Sequence, residues 1–203
     1  MKLYNSIGPN PRLVRMFAAE KGLTLPLVEV DIIAGENRRQ PYLSINPAGG
    51  TPVLELDSGE ALAETTAICE YLEEKHPSPP LIGATPEARA RTRMWTRRVD
   101  LHFVQPLVQG FRSAEGLPLF KDRTRCLPQA ADDLKATARE GLAWLEAHMG
   151  DRKFIAGDSV TLADIVLLSF VDFGALVGQS MDPALTRLGA WHRRMSDRAS
   201  AAA

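Results

Sequence analysis

The sequence predicts two domains of different class, an α/β domain followed by an all-helical bundle. Three observations predict it. Up to about residue 76, short β-like apolar runs alternate with helical patterns. The segment His76-Pro77-Ser78-Pro79-Pro80 then interrupts the chain, and from Pro86 onward only helical periodicity recurs. Proline lacks the amide donor and restricts its predecessor, so no helix runs through the interruption. The expected boundaries are residues 1–76 for the first domain, 77–85 for a linker and 86–203 for the second domain.

Lys2-Leu3-Tyr4 is the first strand, and Pro11 to Gly22 is a helix with Leu13, Val14, Phe17 and Ala18 at helical spacing and a glycine stop. Leu27-Val28-Glu29-Val30-Asp31 is the second strand, which closes a βαβ unit and favours a parallel pair. The polar stretch Gly35 to Arg39 is expected to be irregular. Pro52 to Leu56 and Glu60 to Ala63 flank the turn Asp57-Ser58-Gly59 and make a hairpin. Ala67, Ile68, Tyr71 and Leu72 stripe the next helix. The order βαβ then ββα is that of a thioredoxin-like sheet. Beyond Pro86 the helices are long, Pro106 should bend the first of them, and Thr161-Leu162-Ala163-Asp164 has capping-box spacing ahead of a nearly all-apolar helix. The Ala-rich tail at 199–203 is expected to fray.

Composition narrows the function classes. With 203 residues, 45% apolar and 24% charged, and a formal net charge of −1, the chain is an ordinary globular protein without the basic excess of a nucleic-acid binder. No apolar run suffices to cross a bilayer and the N-terminus lacks signal-peptide order, so a soluble cytoplasmic protein is expected. Cys69 and Cys126 form no CxxC pair, and His76, His102, His148 and His192 have no ligand spacing, so neither a disulfide framework nor a metal is expected.

Four features in order carry a family resemblance. They are Leu3-Tyr4-Asn5-Ser6 leading to Arg15, the stretch Asn46-Pro47-Ala48-Gly49-Gly50-Thr51-Pro52-Val53-Leu54, Glu64-Thr65 opening a helix, and Gly157 to Asp164. Together they resemble the cytosolic glutathione transferases over nearly the whole chain. The resemblance implies a thioredoxin-like domain that binds glutathione as co-substrate and a helical domain that supplies a pocket for a second substrate. In that family the proline matching Pro52 is cis, and the backbone of Thr51 would pair with glutathione like a neighbouring strand. The reading of Pro52 as the start of an edge strand stands beside it. Glu64 and Thr65 would take the γ-glutamyl end at a helix N-terminus, where unpaired amides attract a carboxylate, or would simply cap that helix. The resemblance gives Arg38 to the glycyl carboxylate, which its planar fork suits, while Arg38 and the adjacent Arg39 read equally as ordinary solvated charges. Asp100 resembles an aspartate that crosses a dimer interface to meet the ammonium group of glutathione in the other subunit, so a glutathione-binding role and a homodimer are implied, beside the reading of Asp100 as a solvated helix residue.

Members of the family stabilise the glutathione thiolate, the nucleophile, with a donor after the first strand. Here the usual serine position is Gly8, so three donors compete. Asn10 leads, because Gly8-Pro9-Asn10-Pro11 resembles a branch in which Thr-Pro-Asn contacts sulfur; Ser6 and Tyr4 follow. Asn10 before Pro11 is equally a good N-cap. Pro9, with Arg98 and His102 on one face of the helix from Pro86, is expected to border the second-substrate pocket. The substrates implied are a small hydrophobic electrophile for conjugation, or a peroxide or disulfide for reduction. A non-catalytic glutathione-binding or protein-interaction module is the alternative on the same fold.

Overall fold

The computed structural model describes residues 1–203. The chain forms two compact units, Met1–Ala84 with Ala199–Ala203, and Thr85–Arg198.

The first unit runs β1 (Lys2–Asn5), α1 (Pro9–Glu20), β2 (Leu27–Glu29), a 3-10 turn (Glu36–Arg38), α2 (Tyr42–Ile45), β3 (Val53–Glu55), β4 (Ala61–Leu62) and α3 (Thr65–Lys75). Its four strands lie in the order β2-β1-β3-β4. β1 pairs parallel to β2, with antiparallel pairs β1–β3 and β3–β4, which is the thioredoxin-like arrangement. The strands are shorter than their apolar runs. Pro52 has no ladder donor, so β3 starts at Val53. The turn closes with Leu56 donating to the Glu60 carbonyl and Gly59 to that of Leu56. Tyr4, Val30, Tyr42 and Val53 form one buried cluster. By alternation Leu3 and Leu54, both fully buried, face the other side of the sheet, and α1 and α3 pack against each other.

α1 begins two residues before the expected start. Gly8, with φ 117°, takes the N-cap position, and Pro9 enters the first turn with its fixed φ. Asn10 is therefore inside the helix and is not its cap. The helix stops as the glycine predicts: Gly22 is left-handed, and the Gly22 and Leu23 amides donate to the carbonyls of Ala19 and Ala18. The polar stretch after β2 is ordered as the 3-10 turn, with Glu36 accepting from the Asp31 amide at 2.8 Å. The tail also departs from expectation. Ala199–Ala202 is a 3-10 turn packed on α1, Ser200 is buried against Glu20, and Arg12 donates to the Ala201 carbonyl at 3.1 Å.

The second unit comprises α4 (Pro86–Val99), α5 (Gln105–Ser113), α6 (Leu117–Phe120), α7 (Ala131–Met149), α8 (Leu162–Leu176) and α9 (Thr186–Ser196). Between α4 and α5 the chain widens into a π-helical turn, Asp100–Val104. Pro106 accounts for it, because proline cannot donate to the carbonyl four residues back, that of His102. α7 passes against that carbonyl through Gly141, where a Cβ would come within 1.9 Å of the His102 oxygen. α8 is buried nearly all round, as its sequence predicts. Its Asp164 is fully buried and accepts from the Thr161 amide (2.9 Å), the Thr161 hydroxyl (2.9 Å), the Ile155 amide (2.8 Å) and Trp191 Nε1 (2.8 Å). Burial pushes the Asp164 carboxyl up, against the pull of these donors. No helix is long and apolar enough to cross a membrane.

Candidate active site

The loop between α2 and β3 approaches the end of β1, and polar side chains fix its shape. The Asn37 amide donates to the Gly49 carbonyl at 2.6 Å, while the Asn46 amide (2.9 Å) and the Tyr42 hydroxyl (2.6 Å) both donate to that of Gly50. Gly49 has φ 64°, and a Cβ there would meet the Asn37 carbonyl at 2.9 Å, so the turn requires glycine. Burial, and after it the charge of Tyr4, pushes the Tyr42 phenol up to about 12, so it remains a donor well above neutral pH. Asn37 and Tyr42 escaped the sequence reading, and Asn46 entered it only as the first residue of the stretch that carries the resemblance, with no role of its own. They are isolated polar residues without periodicity, and only the folded loop gives them a partner.

The Thr51–Pro52 peptide is cis, in agreement with the resemblance. Thr51 Oγ1 lies 2.6 Å from Ser6 Oγ, and Ser6 Oγ is also 3.1 Å from the Ile7 carbonyl, to which it donates. The fold thus joins two residues singled out separately in the sequence. Ser6 has one hydroxyl proton, and it is engaged with Ile7. Tyr4 is buried among Val30, Tyr42 and Val53 and donates to Glu55 Oε2 at 2.9 Å. The Tyr4 bond first, and the Lys2 bond second, hold the Glu55 carboxyl below its usual range. The Tyr4 hydroxyl is therefore engaged within the sheet.

Asn10 differs from both. It is exposed in the first turn of α1, and its side chain makes no cap bond. Pro9 and Pro11 have no N–H, so Asn10 carries the one main-chain donor among the first three helical residues, beside two donors on its side chain. Pro9 occupies the first helical position.

Arg38 and Arg39, adjacent in sequence, separate in space. Arg39 folds back on its own loop, donating to the carbonyls of Ala34 (3.1 Å) and Gly35 (3.4 Å). Arg38 lies over the Ala48–Gly49 turn, 3.4 Å from the Ala48 carbonyl. Glu64 occupies the N-cap position of α3 with φ 69° and ψ 120°, and no side chain caps the helix. Of the two roles weighed for Glu64 and Thr65, side-chain capping is absent. Glu64 is the one non-glycine residue with positive φ, a conformation that costs about 1–3 kcal/mol and concentrates at ligand-binding sites.

In the second unit, Arg98 and His102 are engaged with tryptophan rings. The Arg98 guanidinium carbon is 4.9 Å from the ring centre of Trp95 and 5.7 Å from that of Trp144, and His102 stacks on Trp144 at 4.6 Å. Asp100 pairs with Arg97 and accepts from Gln105 at 3.0 Å, both within its own helical segment. Cys69 is buried, and desolvation raises its thiol well above the ordinary value, which makes it unreactive.

A thioredoxin-like sheet with a cis-proline loop facing the start of α1, followed by a helical unit, defines a class of enzymes that handle thiols. The comparisons specify the class. Residues 3–80 match the model for the glutathione S-transferase N-terminal domain, and residues 128–194 match that for the C-terminal domain. Glutathione S-transferase 2 of Saccharomyces cerevisiae is 32% identical over 95% of this chain and 84% of its own length. Maleylacetoacetate isomerase of Pseudomonas aeruginosa is 34% identical over 99% of this chain and 92% of its own. Among solved structures, a glutathione S-transferase domain-containing protein from Marinobacter aquaeolei superposes with a TM-score of 0.92 at 34% identity, covering 98% of this chain and 99% of that one. Gtt2 from Saccharomyces cerevisiae gives 0.91 at 30% identity, covering 98% of each chain. The chain belongs to the glutathione S-transferase family and is a glutathione transferase.

Proposed function

We propose that this enzyme activates the glutathione thiol at the N-terminus of α1, with Asn10 as the principal donor to sulfur. The observation that carries the reading is the contrast among the three candidate donors. The Tyr4 hydroxyl is engaged by Glu55 and the Ser6 hydroxyl by Ile7 and Thr51, while Asn10 is exposed with both its side-chain amide and its main-chain N–H open. Two donors and the positive end of the helix dipole favour a thiolate over a thiol. Ser6 has a positioning role in this reading, holding Thr51, whose backbone pairs with the cysteinyl part of the tripeptide. The amides opening α3, with Glu64 and Thr65, take the γ-glutamyl end, and Arg38 takes the glycyl carboxylate.

Two reactions use such a thiolate. In conjugation it attacks an electrophilic carbon of a small hydrophobic substrate, a C–S bond forms and the leaving group departs with its electron pair. In reduction, two glutathiones are oxidised to their disulfide while a hydroperoxide becomes an alcohol and water, or a mixed disulfide becomes two thiols. An amide donor is weaker than a tyrosine or serine hydroxyl. It leaves the thiolate more basic and more nucleophilic, which suits attack on a peroxide or disulfide.

The test is the ionisation of bound glutathione, followed by thiolate absorbance near 240 nm, in Asn10→Ala and Ser6→Ala proteins. One hydrogen bond to a charged group is worth about 1.5–3 kcal/mol, so Asn10→Ala should raise the thiol pKa by about 1–2 units. The pH profile of kcat/KM should move up with it, for an aryl halide, a hydroperoxide and a mixed disulfide alike. Unchanged ionisation in Asn10→Ala together with loss in Ser6→Ala would transfer the role to Ser6. Tight glutathione binding with no turnover of any of the three substrates would favour a non-catalytic binding module.

A further inference from the structure

The second unit gathers basic side chains, two arginines and two histidines, that pair with no carboxylate. Arg98 lies against the rings of Trp95 and Trp144, and Arg152, just beyond α7, has its guanidinium carbon 4.7 Å from the Trp95 ring centre. Trp144 is stacked by two imidazoles, His102 at 4.6 Å with an interplanar angle of 16° and His148 at 4.2 Å with 20°. The two indoles are 6.1 Å apart, so the four basic groups share one small region of α4, the π turn and the end of α7. The hydrogen bonds within the cluster end on carbonyls. Arg152 Nη2 donates to that of His148 at 2.7 Å, and His148 Nδ1 meets that of Trp144 at 2.8 Å. Arg152 Nε is buried and has no acceptor.

The neighbouring carboxylates are committed or solvated. Asp100 pairs with Arg97 and Gln105, Glu146 accepts from the amides of Arg187 and Leu188, and Asp151 is exposed. An arginine held against an indole gains cation–π attraction and still has N–H donors for a second partner. Two guanidinium groups against one indole, with the buried Arg152 Nε left unpaired, fit a tetrahedral oxyanion, which offers several acceptor oxygens at once. The cost of an unsatisfied buried donor is recovered when such an oxygen meets it.

We propose that Arg98, Arg152, His102 and His148, framed by Trp95 and Trp144, form a binding site for a phosphate group, either free or esterified. The site lies within the second unit and uses none of the residues assigned to the thiol chemistry. It assigns Arg98 and His102 to anion recognition, where the resemblance gave them to a second-substrate pocket.

The experiment is titration of the full chain with inorganic phosphate, pyrophosphate and glycerol phosphate at constant ionic strength, with sodium chloride as control, by calorimetry and tryptophan fluorescence. The expected result is saturable binding with a change in fluorescence, weakened at least tenfold by Arg98→Gln and by Arg152→Gln. Arg152→Lys, which keeps the charge but removes Nε, should also weaken binding several-fold, and it serves where the glutamine variants fail to fold. Equal affinity for phosphate and its ester assigns the site to the phosphoryl group itself, and a preference for the ester assigns it to an esterified ligand. A response no different from chloride overturns the proposal, and so does phosphate binding undiminished in a folded Arg152 variant. Neither result bears on the ionisation of bound glutathione, so the two readings fail separately.

Discussion

Replacing Lys21 by methionine should be among the most destabilising single changes in the first unit. The Lys21 and Glu73 side chains are 0% and 2% exposed and form a direct ion pair. The ammonium group has three protons, and all are used: one on Glu73, and one each on the carbonyls of His76 and Pro79, both at 2.7 Å. Glu73 in turn accepts from the amides of Leu81 (3.2 Å), Ile82 (2.9 Å) and Gly83 (3.4 Å). The pair therefore fastens the ends of α1 and α3 to the proline-rich segment that follows. Lys21→Met leaves a buried carboxylate without its counter-charge and two carbonyls without donors. Breaking a buried pair in this way costs about 3–5 kcal/mol. For a chain of this size that corresponds to a fall in melting temperature of about 10 °C. The assay is thermal and urea unfolding of the intact chain, with Lys2→Met as the control, since the Lys2–Glu55 pair is partly exposed on both sides and should change little. A Lys21→Met transition no lower than that of Lys2→Met would refute the reasoning, because it would mean that water replaces the lost partner.

Further expectations concern the loop, the π turn and the capping box. Tyr42→Phe removes one of two donors to the Gly50 carbonyl and should cost about 1 kcal/mol. Because the folded-state pKa of Tyr42 is raised to about 12, its contribution is present in full below pH ~10 and lost as pH rises through about 12. Absorbance titration of the three tyrosines should therefore lose its late-titrating component in Tyr42→Phe. Gly141→Ala drives a methyl into the His102 carbonyl and should destabilise by at least ~3 kcal/mol in urea unfolding, whereas an unchanged midpoint would mean that α7 readily moves aside. Asp164→Ala strands the amides of Ile155 and Thr161 and the indole N–H of Trp191, and should cost more than about 3 kcal/mol. If Asp164→Ala unfolds at the wild-type urea concentration, those donors find water and the cap is local only.

What the sequence made legible is what closes within a few residues. Thr161-Leu162-Ala163-Asp164 announced a capping box because the hydroxyl, the carboxylate and the amide that they serve all lie within one turn. The glycine ending α1 and the turn at Asp57-Ser58-Gly59 were legible for the same reason. Even there the rule had two solutions at the start of α1, Gly8-Pro9 and Asn10-Pro11, since each pairs a permitted N-cap with a first-turn proline. The positive φ at Gly8 decides between them, and only glycine tolerates it without strain. That choice moved Asn10 from cap to first turn, which left its amide open and strengthened its claim to the sulfur.

The remainder was hidden because its partners are distant in sequence and carry no period. Asp164 announced its local cap but gave no sign of Trp191, and Lys21 and Glu73 lie too far apart in sequence for any local pattern to pair them. The tail of small residues lacked any apolar stripe, yet it is held by arginines of α1 acting on its backbone carbonyls, which every sequence possesses equally. The candidate site divides along the same line. Thr51-Pro52 and Glu64-Thr65 stood out because they belong to the short motifs that carry the family resemblance. Asn37, Asn46 and Tyr42, which shape the loop carrying Thr51, are ordinary residues whose importance comes only from the Gly49 and Gly50 carbonyls that they meet. The proposed glutathione site is thus marked in sequence at the positions assigned to the ligand and unmarked where those positions are supported. The supporting residues are where substitutions should change affinity for glutathione without touching it.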